Sequence, residues 1–202
     1  MHAVSPPAPE PRSPLAAQVR EALGRRSIVM VGLMGCGKTS VGRRTALQLG
    51  LPFVDADEAI EQAAGKTIKE IFDEHGEAYF RDGERRVIAR LLRSAPQVLA
   101  TGGGAYINPE TRAAIADAGV AVWLKAELPM LMRRVLKRSN RPLLQAADPE
   151  EVMRGFMTAR YPIYEKAHVT IESQEITHDA MAAKVIEALH AYLSQTAPDA
   201  QS

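Results

Sequence analysis

The sequence predicts an α/β fold, a five-stranded parallel sheet with helices on both faces, and three observations carry that expectation. Five short apolar runs, Ser27–Val31, Pro52–Val54, Val98–Ala100, Val120–Leu124 and Val169–Ile171, alternate with stretches of helical spacing. That order lays parallel strands side by side with crossover helices above and below them. The run Val120-Ala121-Val122-Trp123-Leu124 is apolar at every position, as expected of a strand covered on both faces, with Trp123 as core packing. The first run leads into Gly32-Leu33-Met34-Gly35-Cys36-Gly37-Lys38-Thr39 and then a helical pattern, the strand–loop–helix setting of a phosphate-binding loop.

With 202 residues, 46% of them hydrophobic, the chain suffices for one well-cored domain and is too short for two large ones. Pro6, Pro7, Pro9, Pro11 and Pro14 mark residues 1–14 as a disordered Pro-rich leader, because so little apolar surface cannot offset ordering entropy. The single domain is expected over 15–193, and 194–202 as a flexible tail. Lys+Arg 25 against Asp+Glu 24 leaves a formal charge of +1, so nothing in the balance asks for a nucleic-acid or membrane partner. Cys36 is the one cysteine, which excludes an intramolecular disulfide and suits a reducing compartment. No run approaches 18 apolar residues, so a cytoplasmic protein is expected. The five histidines have no ligand spacing and are assigned no metal.

In chain order, Leu15 to Leu23 has the spacing of a short entry helix. In the phosphate loop the glycines let successive N–H groups turn inward, and the helix starting near Lys38 aims the positive end of its dipole at the same anion. Lys38 is placed to reach the β- and γ-phosphates and the Thr39 hydroxyl to ligate Mg²⁺. That helix closes at Gly50-Leu51-Pro52, and the next strand runs into Asp55-Ala56-Asp57. Two aspartates two residues apart on extended backbone point to one side. One of them alone reads as a cap for the helix Glu58–Ala64. A pair beside a phosphate loop suits a metal and an acceptor hydroxyl.

Thr67–His75 is a short helical pattern opened by the capping box Thr67-Ile68-Lys69-Glu70. A longer helix follows over Glu77–Arg93, with Phe80, Val87 and Leu91 on its apolar side and Gly83 inside it at a cost of about 1 kcal/mol relative to alanine. Arg81, Arg85 and Arg86 are anion-site candidates that this segment alone does not separate from an ordinary solvated face. After Val98–Ala100 come Thr101-Gly102-Gly103-Gly104. Three glycines after a buried strand favour close approach to a ligand over a plain flexible loop. Asn108 caps a helix with Pro109 at its first position, and Gly119 follows its end. The helix Glu127–Lys137 carries into Arg133, Arg134, Lys137, Arg138 and Arg141 with no acid between them. Beside the helix break at Ser139-Asn140 and Pro142, that cluster reads as a basic lid, about 133–148, that closes over ATP. Asp148-Pro149-Glu150 opens a helix to about Arg160, and His178–Leu193 is a terminal amphipathic helix with Met181, Val185, Leu189 and Tyr192 inward.

Several of these blocks together resemble the shikimate kinases. They are the phosphate loop, Phe53-Val54-Asp55-Ala56-Asp57, Phe80-Arg81 with Glu84, Thr101-Gly102-Gly103-Gly104-Ala105, Asn140-Arg141-Pro142-Leu143-Leu144 and Arg160-Tyr161-Pro162-Ile163-Tyr164. The resemblance covers about 26–193. It implies a P-loop, nucleoside-monophosphate-kinase-like fold with strand order 2-3-1-4-5. It also implies transfer of the ATP γ-phosphoryl group to the 3-hydroxyl of shikimate, on the route to chorismate and aromatic amino acids. Residue by residue it assigns Lys38, Asp57 and Arg141 to catalysis, with Asp57 as the candidate to orient and deprotonate the attacking hydroxyl. Asp57, Arg81, Gly102, Gly103, Gly104 and Arg160 would hold shikimate, Arg81 and Arg160 as a carboxylate clamp and Glu84 keeping Arg81 in place. Gly35, Cys36, Gly37, Lys38, Thr39, Ser40, Arg134 and Arg141 would bind ATP, and Thr39 with Asp55 the Mg²⁺. A monomer acting on a small molecule is expected. Gly83 and Asp82 are expected to loosen the helix presenting Arg81. A gluconate kinase or a non-catalytic nucleotide-binding regulator shares the loop and sheet, but a regulator has no need of an acceptor clamp.

Overall fold

A computed structural model describes residues 10–94, 96–137 and 148–196. The first helix, α1 (Pro14–Leu23), starts where Ser13 Oγ accepts from the Ala16 N–H at 3.1 Å and buries Ala16, Val19 and Leu23. Strand β1 (Ser27–Val31) is buried at every residue and delivers the chain to helix α2 (Lys38–Leu49). Strand β2 (Phe53–Asp55) passes directly into helix α3 (Ala56–Ala64). Helix α4 (Ile68–Leu92) opens with the expected box, the Thr67 hydroxyl accepting from the Glu70 N–H at 3.2 Å and the Glu70 carboxylate from the Thr67 N–H at 2.7 Å. It breaks at one residue, Gly76, with φ 78° and ψ 178°. The two helical patterns seen in the sequence are therefore two segments meeting at a glycine. Gly83 and Asp82 do not loosen the second one: Gly83 is helical, and Asp82 is tied to Arg85 and Arg86 one turn on.

Strand β3 (Val98–Ala100) leads through a 3-10 turn, Ala105–Ile107, into helix α5 (Pro109–Ala118), where Asn108 Oδ1 accepts from the N–H groups of Glu110 and Thr111. Strand β4 (Gly119–Lys125) begins one residue earlier than its apolar run, since Gly119, which follows the end of α5 as expected, is itself extended. Helix α6 (Leu128–Leu136), helix α7 (Pro149–Tyr164), strand β5 (Val169–Glu172) and helix α8 (His178–Thr196) complete the described chain. Helix α7 runs a full turn past Arg160, with Pro162 inside it. A proline in a final turn forgoes one hydrogen bond without breaking the helix ahead of it. Likewise α8 extends three residues beyond Leu193, to Thr196.

The five strands form one parallel sheet in the order β2-β3-β1-β4-β5. Burial follows position. Strands β1, β3 and most of β4 are covered on both faces, whereas the edge strand β5 alternates buried Val169 and Ile171 with exposed Thr170 and Glu172. Each fully buried Val, Leu or Ile contributes about 1.5–3 kcal/mol relative to exposure, and a core that includes Ile28, Val29, Leu99, Val122 and Leu124 makes the sheet a rigid platform. Connections from β1 go to one side and those from β3 to the other, so the carboxyl end of β1 is where the strand order reverses. Loops there form a crevice suited to ligands. A second small cluster, Ile60, Ile71 and Phe80, joins α3 to α4. Among the described residues no helix is long and apolar enough to cross a membrane.

Candidate active site

The phosphate loop leaves β1 at Val31, and its backbone is shaped by glycines at positive φ, 84° at Gly35 and 105° at Gly37. A Cβ at Gly35 would sit 3.0 Å from Val135 and 3.3 Å from the Leu131 carbonyl, so α6 packs directly on the loop. Gly37 caps α2 without a side chain, which leaves the first N–H groups of that helix aimed along the loop. The Lys38 ammonium donates to the carbonyls of Gly32 at 2.9 Å and Leu33 at 3.0 Å. From α6, Arg134 Nη1 donates to the carbonyls of Gly35 at 3.4 Å and Cys36 at 3.3 Å, and Ser173 Oγ donates to Cys36 at 3.1 Å. A loop of curled N–H groups with a lysine and an arginine at its rim fits a polyphosphate.

Thr39 Oγ1 donates to Asp55 Oδ2 at 2.9 Å, at the mouth of the same loop. A hydroxyl and a carboxylate are hard oxygen donors of the kind Mg²⁺ prefers when phosphates supply other ligands, so these two residues fit that ion. The other oxygen of Asp55 accepts from the Asp57 N–H at 3.1 Å and caps α3. Here the expected arrangement is corrected: Asp57 is in the first turn of α3, not on extended backbone, because Asp55 ends the strand and starts the helix. Both readings of Asp55 hold together, since one carboxylate oxygen caps while the other faces Thr39.

Opposite the phosphate loop, Asp57 and Glu84 converge on Gly102. A Cβ there would lie 3.0 Å from Asp57 Oδ1 and 2.9 Å from Glu84 Oε1, so only glycine fits between the two carboxyls. Burial, reinforced by the charge of Asp55, pushes the Asp57 carboxyl above the usual carboxylate range, against the opposing pull of Lys38. Burial raises Glu84 as well, although Arg81 pulls it down. Glu84 Oε2 accepts from Arg81 Nη1 at 2.7 Å, and its Oε1 is buried without a hydrogen-bond partner. Gly104 lies over the guanidinium of Arg81, since a Cβ would fall 2.5–2.6 Å from Nη1, Cζ and Nη2 alike. Arg160, on α7, donates to the Gly103 carbonyl at 3.4 Å and stacks 4.2 Å from the Phe156 ring centre. Both arginines thus meet the triple-glycine loop.

Lys38, Thr39, Asp55, Asp57, Gly102 and Gly103 share a cavity of about 480 Å³ with Gly35, Gly37 and Arg134. Gly104, Arg81 and Arg160 adjoin it through the glycine loop and do not line it, nor do Cys36 and Ser40. The Cys36 thiol is buried, with Lys38 Nζ 3.9 Å from Sγ, and the Cys36 carbonyl accepts from Arg134 and Ser173. Arg141, Arg138, Pro142 and most of the expected lid lie outside the described residues. Of the basic cluster, Arg133 pairs with Glu175, and Lys137 lines the cavity. Thr101 and His178 line it too and were not expected to. Thr101 was signalled only by its place before the glycines, and His178 by nothing in the local pattern. The Tyr164 hydroxyl, which donates to the Gly103 carbonyl and braces the loop, was also missed as a supporting residue.

The family model described as "SKI: Shikimate kinase" matches residues 34–190. A shikimate kinase of Bradyrhizobium diazoefficiens is 56% identical over 177 residues, covering 88% of this chain and 86% of the relative. A shikimate kinase of Rhodopseudomonas palustris is 49% identical over 193 residues, covering 96% and 95%. Among solved structures, a shikimate kinase from Acinetobacter baumannii in complex with shikimate superposes with a TM-score of 0.79 at 37% identity, covering 89% of this chain and 99% of that one.

Proposed function

From the premise that the chain belongs to the shikimate kinase family, we propose that it transfers the γ-phosphoryl group of ATP to the 3-hydroxyl of shikimate, giving shikimate 3-phosphate and ADP. The observation that carries the reading is the position of Asp57, between the phosphate loop on one side and the two arginines at the glycine loop on the other. A small hydroxylated carboxylate fits that span. Its carboxylate meets guanidinium groups able to make paired charge-assisted bonds, and a hydroxyl meets the Asp57 carboxylate.

Bound Mg²⁺–ATP supplies the phosphoryl group and the metal's neutralising charge, with Thr39 and Asp55 as the residues that would hold the ion. Asp57 orients the acceptor hydroxyl and takes its proton as the oxygen attacks phosphorus. Its raised pKa brings it nearer the operating pH and makes it a more effective base. Lys38 and the loop N–H groups neutralise charge that develops on the transferring group, and Arg134 holds the loop that presents them. Positioning and electrostatics of this kind carry most of the rate in phosphoryl transfer. Arg141 is given the corresponding role from the lid on its motif alone. A monomer in the cytoplasm is part of the same proposal, the location resting on the lone thiol, which suits a reducing compartment.

The test is ADP release with Mg²⁺–ATP and shikimate, beside gluconate and a no-acceptor control. Turnover that requires shikimate and is lost in Arg160→Ala is the expected result. ATP binding without shikimate-dependent ADP would mean a different acceptor or a regulator.

A further inference from the structure

The guanidinium of Arg81 is a planar fork that recognises carboxylates through its edges. Its face is covered by Gly104. Two protein carboxylates already hold those edges, and they differ in kind. Glu84 takes Nη1 at 2.7 Å and is buried, with 4% of its side chain exposed. Glu77, one helical turn before Arg81, presents a single oxygen to Nε and Nη2 together, each at 3.3 Å, and is 69% exposed. Nε and Nη2 form one of the two edges with paired parallel N–H groups, the one that a carboxylate engages side-on. A short buried bond anchors the arginine from behind, and a long exposed one covers its recognition edge.

We propose that Glu77 is a specificity-determining residue, an internal stand-in that occupies the carboxylate-recognition edge of Arg81 and must be exchanged for the carboxylate of the substrate. The inference rests on the reading of Arg81 as part of an acid clamp. Exchange of one carboxylate for another keeps the guanidinium paired throughout. An uncharged polyol of the same size cannot replace the charge that leaves, so Glu77 biases the site toward anionic acceptors. The contact is long and exposed, so yielding it is inexpensive, as expected of a gate that an ordinary substrate opens.

Glu77→Gln removes the charge and keeps the length of the side chain. Asp82→Ala on the same helix removes an exposed carboxylate that, among the described residues, pairs only with Arg85 and Arg86. In Glu77→Gln the KM for shikimate, and its Kd by titration calorimetry, should fall about two- to fivefold, the range that an exposed ion pair allows. The KM for ATP should hold, Asp82→Ala should reproduce neither change, and added salt should narrow the gap between Glu77→Gln and the unaltered protein. A merely structural Glu77, one that steadies Arg81, gives the opposite sign. A rise in the shikimate KM, or no change in KM and Kd, overturns the inference. Failure of the underlying functional reading shows separately, as absent shikimate turnover in the unaltered protein.

Discussion

At the scale of single residues the chemistry is concentrated in Asp57, and its setting has an energetic consequence. Its carboxyl is raised above the usual value of 3.8, first by burial and then by Asp55. A group whose pKa is higher in the folded protein stabilises the fold below its ordinary pKa and loses that contribution as pH rises through the folded value. At neutral pH the ionised Asp57 therefore lowers stability while providing the base. Asp57→Asn should cut turnover by about 10²–10⁴ and at the same time raise the thermal midpoint, by roughly 2–4 °C for each kcal/mol relieved in a domain of this size. Rate assays and calorimetry at pH 7 on one preparation check both; a lower midpoint would mean that Lys38 stabilises the carboxylate more than burial penalises it. The arginines show where sequence reading runs out at this scale. Arg81, Arg85 and Arg86 lie on one helix, and local pattern does not rank them. The fold does, because Arg85 is held by Asp82 and Glu110, Arg86 by Asp82, and only Arg81 abuts the glycine loop.

Among elements, those with local signals were legible: the capping box at Thr67, the asparagine cap before α5, and the strand–loop–helix at Gly32–Lys38 each depend on residues within a few positions of one another. Boundaries set by distant partners were not. Asp55 ends β2 because its carboxylate both caps α3 and faces Thr39, sixteen residues earlier in the chain. The junction of β4 and β5 has a similar long-range tie, since His168 Nδ1 accepts from the Ala121 N–H at 2.8 Å and its ring lies 5.7 Å from that of Tyr192. That bond needs a neutral ring nitrogen. Burial and the charge of Arg26 hold the imidazole below its ordinary value of 6.5. The folded state thus binds its proton less readily than the unfolded chain, and the stability His168 contributes is present above pH 6.5 and lost as pH falls through the lower folded value. Asp57 and Glu84, both raised, change stability in the opposite direction, so the difference between the unaltered protein and His168→Gln isolates the imidazole. The unaltered protein should lose more stability than His168→Gln between pH 7 and 5 in urea titrations. Parallel curves would remove His168 from the account.

Across the whole molecule, core and site are built from largely separate sets of residues that meet at Cys36 and Tyr164. The burial of β1, β3 and β4 follows from apolar runs alone, whereas the order of the strands was implied by the family resemblance and not by any run. The phosphate loop, by contrast, is braced by Arg134 and Ser173, which lie 98 and 137 residues from Cys36 in the chain, and no periodicity announces such contacts. Lys38 belongs to the second set. It is half-exposed at the mouth of the cavity and, among the described residues, bonds only to carbonyls of its own loop, apart from a 3.9 Å approach to Cys36 Sγ. Lys38→Ala should therefore fold, with a thermal midpoint close to that of the unaltered protein, while turnover falls by about 10²–10³ as for other lost transition-state donors. The two effects separate further with a ligand. Mg²⁺–ADP at a hundred times its dissociation constant should stabilise the unaltered protein by about 2.7 kcal/mol through mass action. The same concentration should stabilise Lys38→Ala less, because the variant's phosphate contacts are weaker. A Lys38→Ala protein already unfolded at room temperature would mean that the loop is part of what holds the sheet together, and that site and core are not separable in this chain.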